Sequence, residues 1–279
     1  MNFNTLRTRN SVAMLAVATS LSAVVLVGCK ADTAPEIRTA AATPHPSPNL
    51  RTPVAPAPAP AIRVSHAPQL NPIVALQRSL NAALVPLGMP KLNTDGQAGG
   101  QTQRALCAER LFTGHVASKS AATAAEMTRI SSSEHLSSAL PGFIVSRTCQ
   151  VMGIALDHNL TMIIPISTGA PRGYYSDGQD HTTNPGRYSM GQGIYGLHNS
   201  TKYPSQHSAG NMLYAGFFDG DIAVHGSPEM SSEVTSPESH GCVRIEPKYA
   251  KKIWELMGGP AQAANDSYVQ LRPIPVEVL

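Results

Sequence analysis

The chain has 279 residues, 42% of them hydrophobic and only 14% charged, with a formal net charge of +3 at pH 7. Arg7 and Arg9 lie in a leader-like stretch that holds no acid, and beyond it 19 basic and 18 acidic residues leave a net of +1. That balance gives no electrostatic case for a nucleic-acid partner. The length allows one or two domains beside any targeting segment, and 23 prolines with 5% aromatics mean that part of the chain is not packed core.

Residues 1–28 read as an export signal. Arg7 and Arg9 precede Ser11 to Val27, seventeen residues without a charge. The stretch ends in Leu26-Val27-Gly28-Cys29, which resembles the lipobox of bacterial lipoproteins. The resemblance implies cleavage before Cys29 and its lipidation, anchoring the protein to the outer side of a cytoplasmic or outer membrane. A transmembrane anchor, or a cleaved signal with an incidental cysteine, are the alternatives. All three export the remainder of the chain.

Residues 29–69 are rich in Pro and Ala, including Pro53-Val54-Ala55-Pro56-Ala57-Pro58-Ala59-Pro60. Alternating prolines remove donors and hold φ near the polyproline II value, so neither helix nor central strand forms. The segment is expected to be a tether, about 3 Å long per residue where it is polyproline II.

A helical region is predicted over residues 70–115. Asn71 caps a first helix with Pro72 at its start, Ile73, Leu76, Leu80 and Leu84 recur at helical spacing, and Pro86 and Gly88 stop it. A second helix should hold Thr102, Ala105 and Leu106. Leu76-Gln77, Leu80, Asp95-Gly96, Ala98-Gly99, Thr102 and Ala105-Leu106 together resemble the small helical peptidoglycan-binding domain of wall enzymes. The pattern departs from that family at Ala98 and at Cys107-Ala108, where aromatics and a glutamine are usual. Residues 116–142 are expected to be a helical connector, with a helix over 122–140.

Residues 143–279 read as mainly β. Strands are predicted over Phe143–Arg147, Gln150–Leu156, Leu160–Ser167, Gly186–Met190, Met212–Phe218 and Asp221–His225, separated by Gly-, Ser-, Asn- and Pro-rich loops. Pro247 opens a helix with Tyr249, Ile253, Trp254 and Met257 on one side, closed by Gly258-Gly259. The tail from Tyr268 is expected to add an edge strand.

Chemistry concentrates in Ile222-Ala223-Val224-His225 and Ser239-His240-Gly241-Cys242-Val243-Arg244. A cysteine becomes a strong nucleophile as a thiolate, which needs a base or cation beside it. His225, at the end of an apolar strand, and His240 are candidate bases. Gly241 permits a tight turn whose N–H groups, with that of Cys242, would face an oxyanion near the start of the following helix. Thirteen residues, mostly polar and including two prolines, separate His225 from Ser239 and form a loop. Zinc held by His225, His240, Cys242 and either His198 or His207 is the alternative chemistry. Against it, Cys242 has no CxxC partner and no HxxxH pair presents two ligands. His158, His181, His198 and His207 lie in loop-like sequence and are expected to be solvated. With Cys29 assigned to lipid and Cys242 to chemistry, Cys107 and Cys149 are left to form a disulfide in an oxidising compartment, two buried free thiols being the alternative.

The early His followed by Ser-His-Gly-Cys, an apolar residue and Arg resembles the L,D-transpeptidase catalytic (YkuD-type) domain. Ser167-Thr168-Gly169 and Thr183-Asn184-Pro185-Gly186-Arg187-Tyr188 resemble its preceding strands, though the proline is shifted. The resemblance spans about Phe143 to Glu255. It implies an L,D-transpeptidase-type β-sandwich and a Cys242 acyl-enzyme formed on peptidoglycan stem tetrapeptides with release of D-alanine. A stem amine would resolve it into a 3→3 crosslink. It further implies His225 as proton donor and acceptor, His240 and Ser239 in support, Arg244 and Ser239 toward substrate, no cofactor, no metal, and a monomer. An L,D-carboxypeptidase using water at the same thiol, or a non-catalytic wall-binding lipoprotein, are the competing readings.

Overall fold

The computed structural model describes residues 71–131, 136–138 and 140–279; the leader, the tether and Cys29 lie outside the described residues. Asn71 caps α1 (Pro72–Leu84), its Oδ1 accepting from the Ile73 N–H at 2.9 Å, with Pro72 at a position that needs no donor. Leu76, Leu80 and Leu84 form its buried stripe. A 3-10 turn over Val85–Leu87 ends on Gly88, and α2 spans Gly100–Phe112. Buried Gln77 joins them: its Nε2 donates to Asp95 Oδ1 (2.8 Å) and its Oε1 accepts from the Gly96 N–H (3.0 Å). The Asp-Gly signature therefore has a structural use.

The predicted 122–140 helix is shorter. α3 covers Ala124–Ser131, and residues 136–138 are not helical. Its start is a reciprocal cap, in which the Glu126 N–H donates to Thr123 Oγ1 and the Thr123 N–H to Glu126 Oε2. The described helix ends at Ser131, and residues 132–135 lie outside the described residues. Arg110–Glu126 and Arg129–Glu109 ion pairs at 2.7 and 2.6 Å bind α2 to α3.

Eight strands follow: β1 (Gly142–Ser146), β2 (Val151–Leu156), β3 (Asn159–Pro165), β4 (Gly186–His198), β5 (Met212–Asp219), β6 (Ile222–Gly226), β7 (Val243–Ile245) and β8 (Ser267–Val278). Helix α4 (Pro247–Leu256) lies between β7 and β8. They form one sheet in the order β3-β2-β1-β8-β4-β5-β6-β7. Beyond β3 the chain meets β7: Ser167 and Arg244 exchange backbone hydrogen bonds of 3.0 and 2.8 Å, so the ends of the sheet approach each other. Phe143, Met152, Ile164, Met190, Val224 and Trp254 share the enclosed core.

Two expectations change here. The tail is no edge: β8 runs parallel to β1 and antiparallel to β4, in the middle of the sheet. The helical region is not separately packed, because Leu80, Leu106 and Phe112 share a second core with Ile144, Val151, Ala155 and Ile163 on the outer face of β1–β3. That double burial explains why β1 has no exposed position. Cys107 and Cys149 are disulfide-bonded across the same contact, 42 residues apart in sequence. Among the described residues no helix is long and apolar enough to cross a membrane.

Candidate active site

Strands β6 and β7 pair in parallel, with His225 opposite Arg244, so the loop over 227–239 brings the Ser-His-Gly-Cys turn back beside the first histidine. The turn is held from both sides. The Glu238 and Ser239 N–H groups donate to the Thr168 carbonyl, each at 3.0 Å. Thr183 Oγ1 donates to the Gly241 carbonyl at 2.6 Å and accepts from the Gly169 N–H at 2.8 Å. Gly241 has φ +118°, a conformation that side chains resist, and a Cβ there would sit 2.7 Å from Ile222 Cδ1. The residue type is thus fixed by backbone and space.

Ser239 is fully buried. Its hydroxyl donates to the Cys242 carbonyl at 2.5 Å and accepts from the Gly241 N–H at 3.1 Å. Ser239 thus fastens the turn, the supporting role expected of it, and the Gly241 N–H donates to its hydroxyl in this structure. One expectation changes: a strand, β7, follows Cys242 and helix α4 begins only at Pro247, so no helix start faces the thiol.

Cys242, His225, His240 and Arg244 line one cavity of about 170 Å3 together with Lys202 and Tyr203. Cys242 is the free cysteine among the described residues. Its Sγ lies 3.9 Å from the Asp221 carbonyl, and burial pushes the thiol up, opposed first by the Ala223 backbone and then by Arg244. His225 is 4% exposed, and its Nδ1 lies 3.0 Å from the Gly226 carbonyl, which accepts its proton. Burial lowers the imidazole to about 4, so near neutrality it is uncharged, with Nε2 as the unprotonated nitrogen. The pair rests as thiol and neutral imidazole.

His240 is held differently. Its ring is stacked between Tyr175 and Tyr203, with centroids 3.9 and 3.8 Å away and both planes within 17°. His181 meets it edge-on at 4.7 Å. Burial, His181 and Arg244 all lower its pKa. His181 is itself buried, with Nε2 2.8 Å from Asp177 Oδ2. His198 is half-buried on the cavity wall, 2.6 Å from Asp266 Oδ1. These two histidines are therefore not solvated as expected, whereas His158 and His207 are exposed. Among the described residues no group of three His, Cys, Asp or Glu side chains is disposed to hold a metal.

Arg244 pairs with Glu229 at 2.9 Å and donates to the Glu238 carbonyl at 3.3 Å. Tyr175, Tyr203 and His181 are the site residues that sequence reasoning missed. One signal was present: tyrosines at 174, 175 and 203 in polar loops of a chain with only 5% aromatics. A loop aromatic in such a chain is a candidate for the site it covers.

Residues 142–270 match the family model described as L,D-transpeptidase catalytic domain, YkuD. No curated protein matches the chain. Among solved structures, an L,D-transpeptidase of Xylanimonas cellulosilytica is 23% identical with a TM-score of 0.44, over 74% of this chain and 92% of that one. An L,D-transpeptidase of Stackebrandtia nassauensis is 22% identical with a TM-score of 0.39, over 74% and 89%. One from Mycobacterium smegmatis is 16% identical with a TM-score of 0.36, over 49% and 57%.

Proposed function

We propose, for a chain whose residues 142–270 match the YkuD L,D-transpeptidase catalytic domain model, that Cys242 is acylated by peptidoglycan stem tetrapeptides. His225 Nε2 takes the thiol proton as sulfur attacks the carbonyl at the L,D bond, and the Cys242 N–H faces the resulting oxyanion. Collapse of the adduct breaks the C–N bond, and the imidazolium returns its proton to the departing D-alanine amine. A side-chain amine of a second stem then attacks the thioester, His225 removes its proton, and the thiolate leaves. The product is a 3→3 crosslink. Arg244 orients a stem carboxylate that displaces Glu229, since its planar fork suits such a group.

The observation that carries this reading is the pairing in one cavity of a free thiol with a buried imidazole whose other nitrogen is already committed to a backbone carbonyl. Mass spectrometry of the protein with tetrapeptide stems tests it. Wild type should gain an acyl adduct and release D-alanine, and Cys242→Ala should do neither. An unmodified wild type ends the proposal, and a tripeptide product without crosslinks would make the enzyme a carboxypeptidase.

We also propose that lipid on Cys29 anchors the domain outside a membrane by way of the 29–69 tether. Cys29→Ala should move the protein from the membrane to the soluble fraction; equal partition of both forms would refute the anchor.

A further inference from the structure

Arg104, on α2, is 1% exposed and makes no ion pair among the described residues. Its guanidinium reaches the loop over 227–239, where Nη1 donates to the Val234 carbonyl at 2.6 Å and Nη2 to the Ser232 carbonyl at 2.5 Å. Lys119, beyond the end of α2, donates to the Thr235 carbonyl at 2.8 Å. The contact is close enough that a Cβ on Gly100, the first residue of α2, would lie 2.8 Å from Thr235 Oγ1. Two cations of the helical region thus hold three carbonyls within residues 232–235. Burial brings Arg104 down to about 10, while Glu246 and Glu233 oppose that effect. Glu246 is the residue directly after β7.

The two ends of the same loop carry both partners of Arg244, the Glu229 carboxylate and the Glu238 carbonyl. The Glu238 carbonyl also accepts from the Tyr175 hydroxyl, whose ring stacks on His240. A guanidinium fork is suited to fixing two carbonyls at once, which an ammonium does not do. We propose that Arg104 is a positioning residue for the active site, acting through the loop over 227–239 on Arg244 and, through Arg244, on Cys242. The inference rests on Cys242 as the reacting thiol, and it makes the helical region a working part of the catalytic unit.

The test is the pH profile of Cys242 alkylation by iodoacetamide in the full chain, read at the peptide that carries Cys242. Arg244 and Asp221 are the charged groups that bear most directly on the thiol, with His198, Lys202, His225 and His240 on the same cavity. In folded Arg104→Met the loop loosens and Arg244 moves off. The alkylation midpoint should rise by about one pH unit, with roughly tenfold slower reaction near neutrality. Arg104→Lys, which keeps one charged donor, should fall between. Lys119→Met, at a half-buried position, should shift the profile the same way by less, and it decides alone if Arg104→Met does not fold. Profiles superimposable on wild type in the folded variants, with only a lower Tm, would overturn the proposal. Iodoacetamide requires no stem peptide. A wild type that alkylates but forms no acyl-enzyme therefore refutes the proposed reaction and not this inference.

Discussion

Burial acts on Cys242 and His225 in opposite senses, raising the thiol and lowering the imidazole, and both shifts keep the pair neutral. The acid limb of kcat/KM should accordingly fall near pH 4 rather than near 6.5, because His225 accepts a proton from solvent only there. Folding stability follows the same group. The unfolded chain protonates His225 at 6.5 and the folded one at about 4. As pH falls through that window the unfolded state binds more protons and stability drops, by on the order of 3 kcal/mol. Urea midpoints at neutral pH and near pH 4 should show the loss in wild type and a smaller one in His225→Gln; equal losses would remove His225 as the cause. Cys242, His225 and Arg244 were legible because their spacing about a loop is local and their chemistry is distinctive. The work of Ser239 and Gly241 was legible only as a turn. Which N–H is left for an oxyanion depends on a hydroxyl two residues away, and composition does not reveal that.

At the scale of elements, two loops, one between β3 and β4 and one between β4 and β5, meet on one imidazole. Stacking of each ring on His240 is worth about 0.5–1.5 kcal/mol. Tyr203→Ala should therefore cost roughly three- to tenfold in kcat/KM and broaden or shift the His240 ring signals in NMR, while Tyr203→Phe, which keeps the stack, should not. Tyr175→Phe should be more costly than Tyr203→Phe, because the Tyr175 hydroxyl donates to the Glu238 carbonyl. Equal behaviour of the two Phe variants would refute that assignment. Most elements were visible in the sequence: the Asn71-Pro72 cap, the strands between Gly- and Pro-rich turns, and α4 with its apolar stripe. The extent of α3 was not, because no proline or glycine marks a stop between Ala124 and Leu140. The length of β4 was not either, since Gly191, Gly193 and Gly196 look like loop residues. Gly193 is needed where a Cβ would lie 2.7 Å from the Trp254 ring.

At the scale of the molecule, the disulfide fastens the helices to the outer face of β1–β3. Chain-entropy reasoning for a 42-residue separation gives about 4 kcal/mol as an upper figure. Cys107→Ala/Cys149→Ala should lose up to that amount in denaturant titration; a loss below about 1 kcal/mol would show that the shared core alone suffices. Cysteine counting found the pairing, whereas the shared core needed the structure, because apolar residues do not announce which face they meet. The position of β8 carries a different consequence, one of timing. Strands β3-β2-β1 and β4-β5-β6-β7 share a continuous ladder through β8, the last strand in the sequence, and at the other edge meet through the isolated bridges of Ser167 with Arg244 and Gly169 with Ser239. A chain delivered from its N-terminus has every other strand in hand before the seam arrives, and until then the two halves lack the ladder that makes them one sheet. Pairings this distant in sequence make for slow folding. The half that carries the nucleophile and the half that carries the helices become one continuous sheet only when the final strand slides between them.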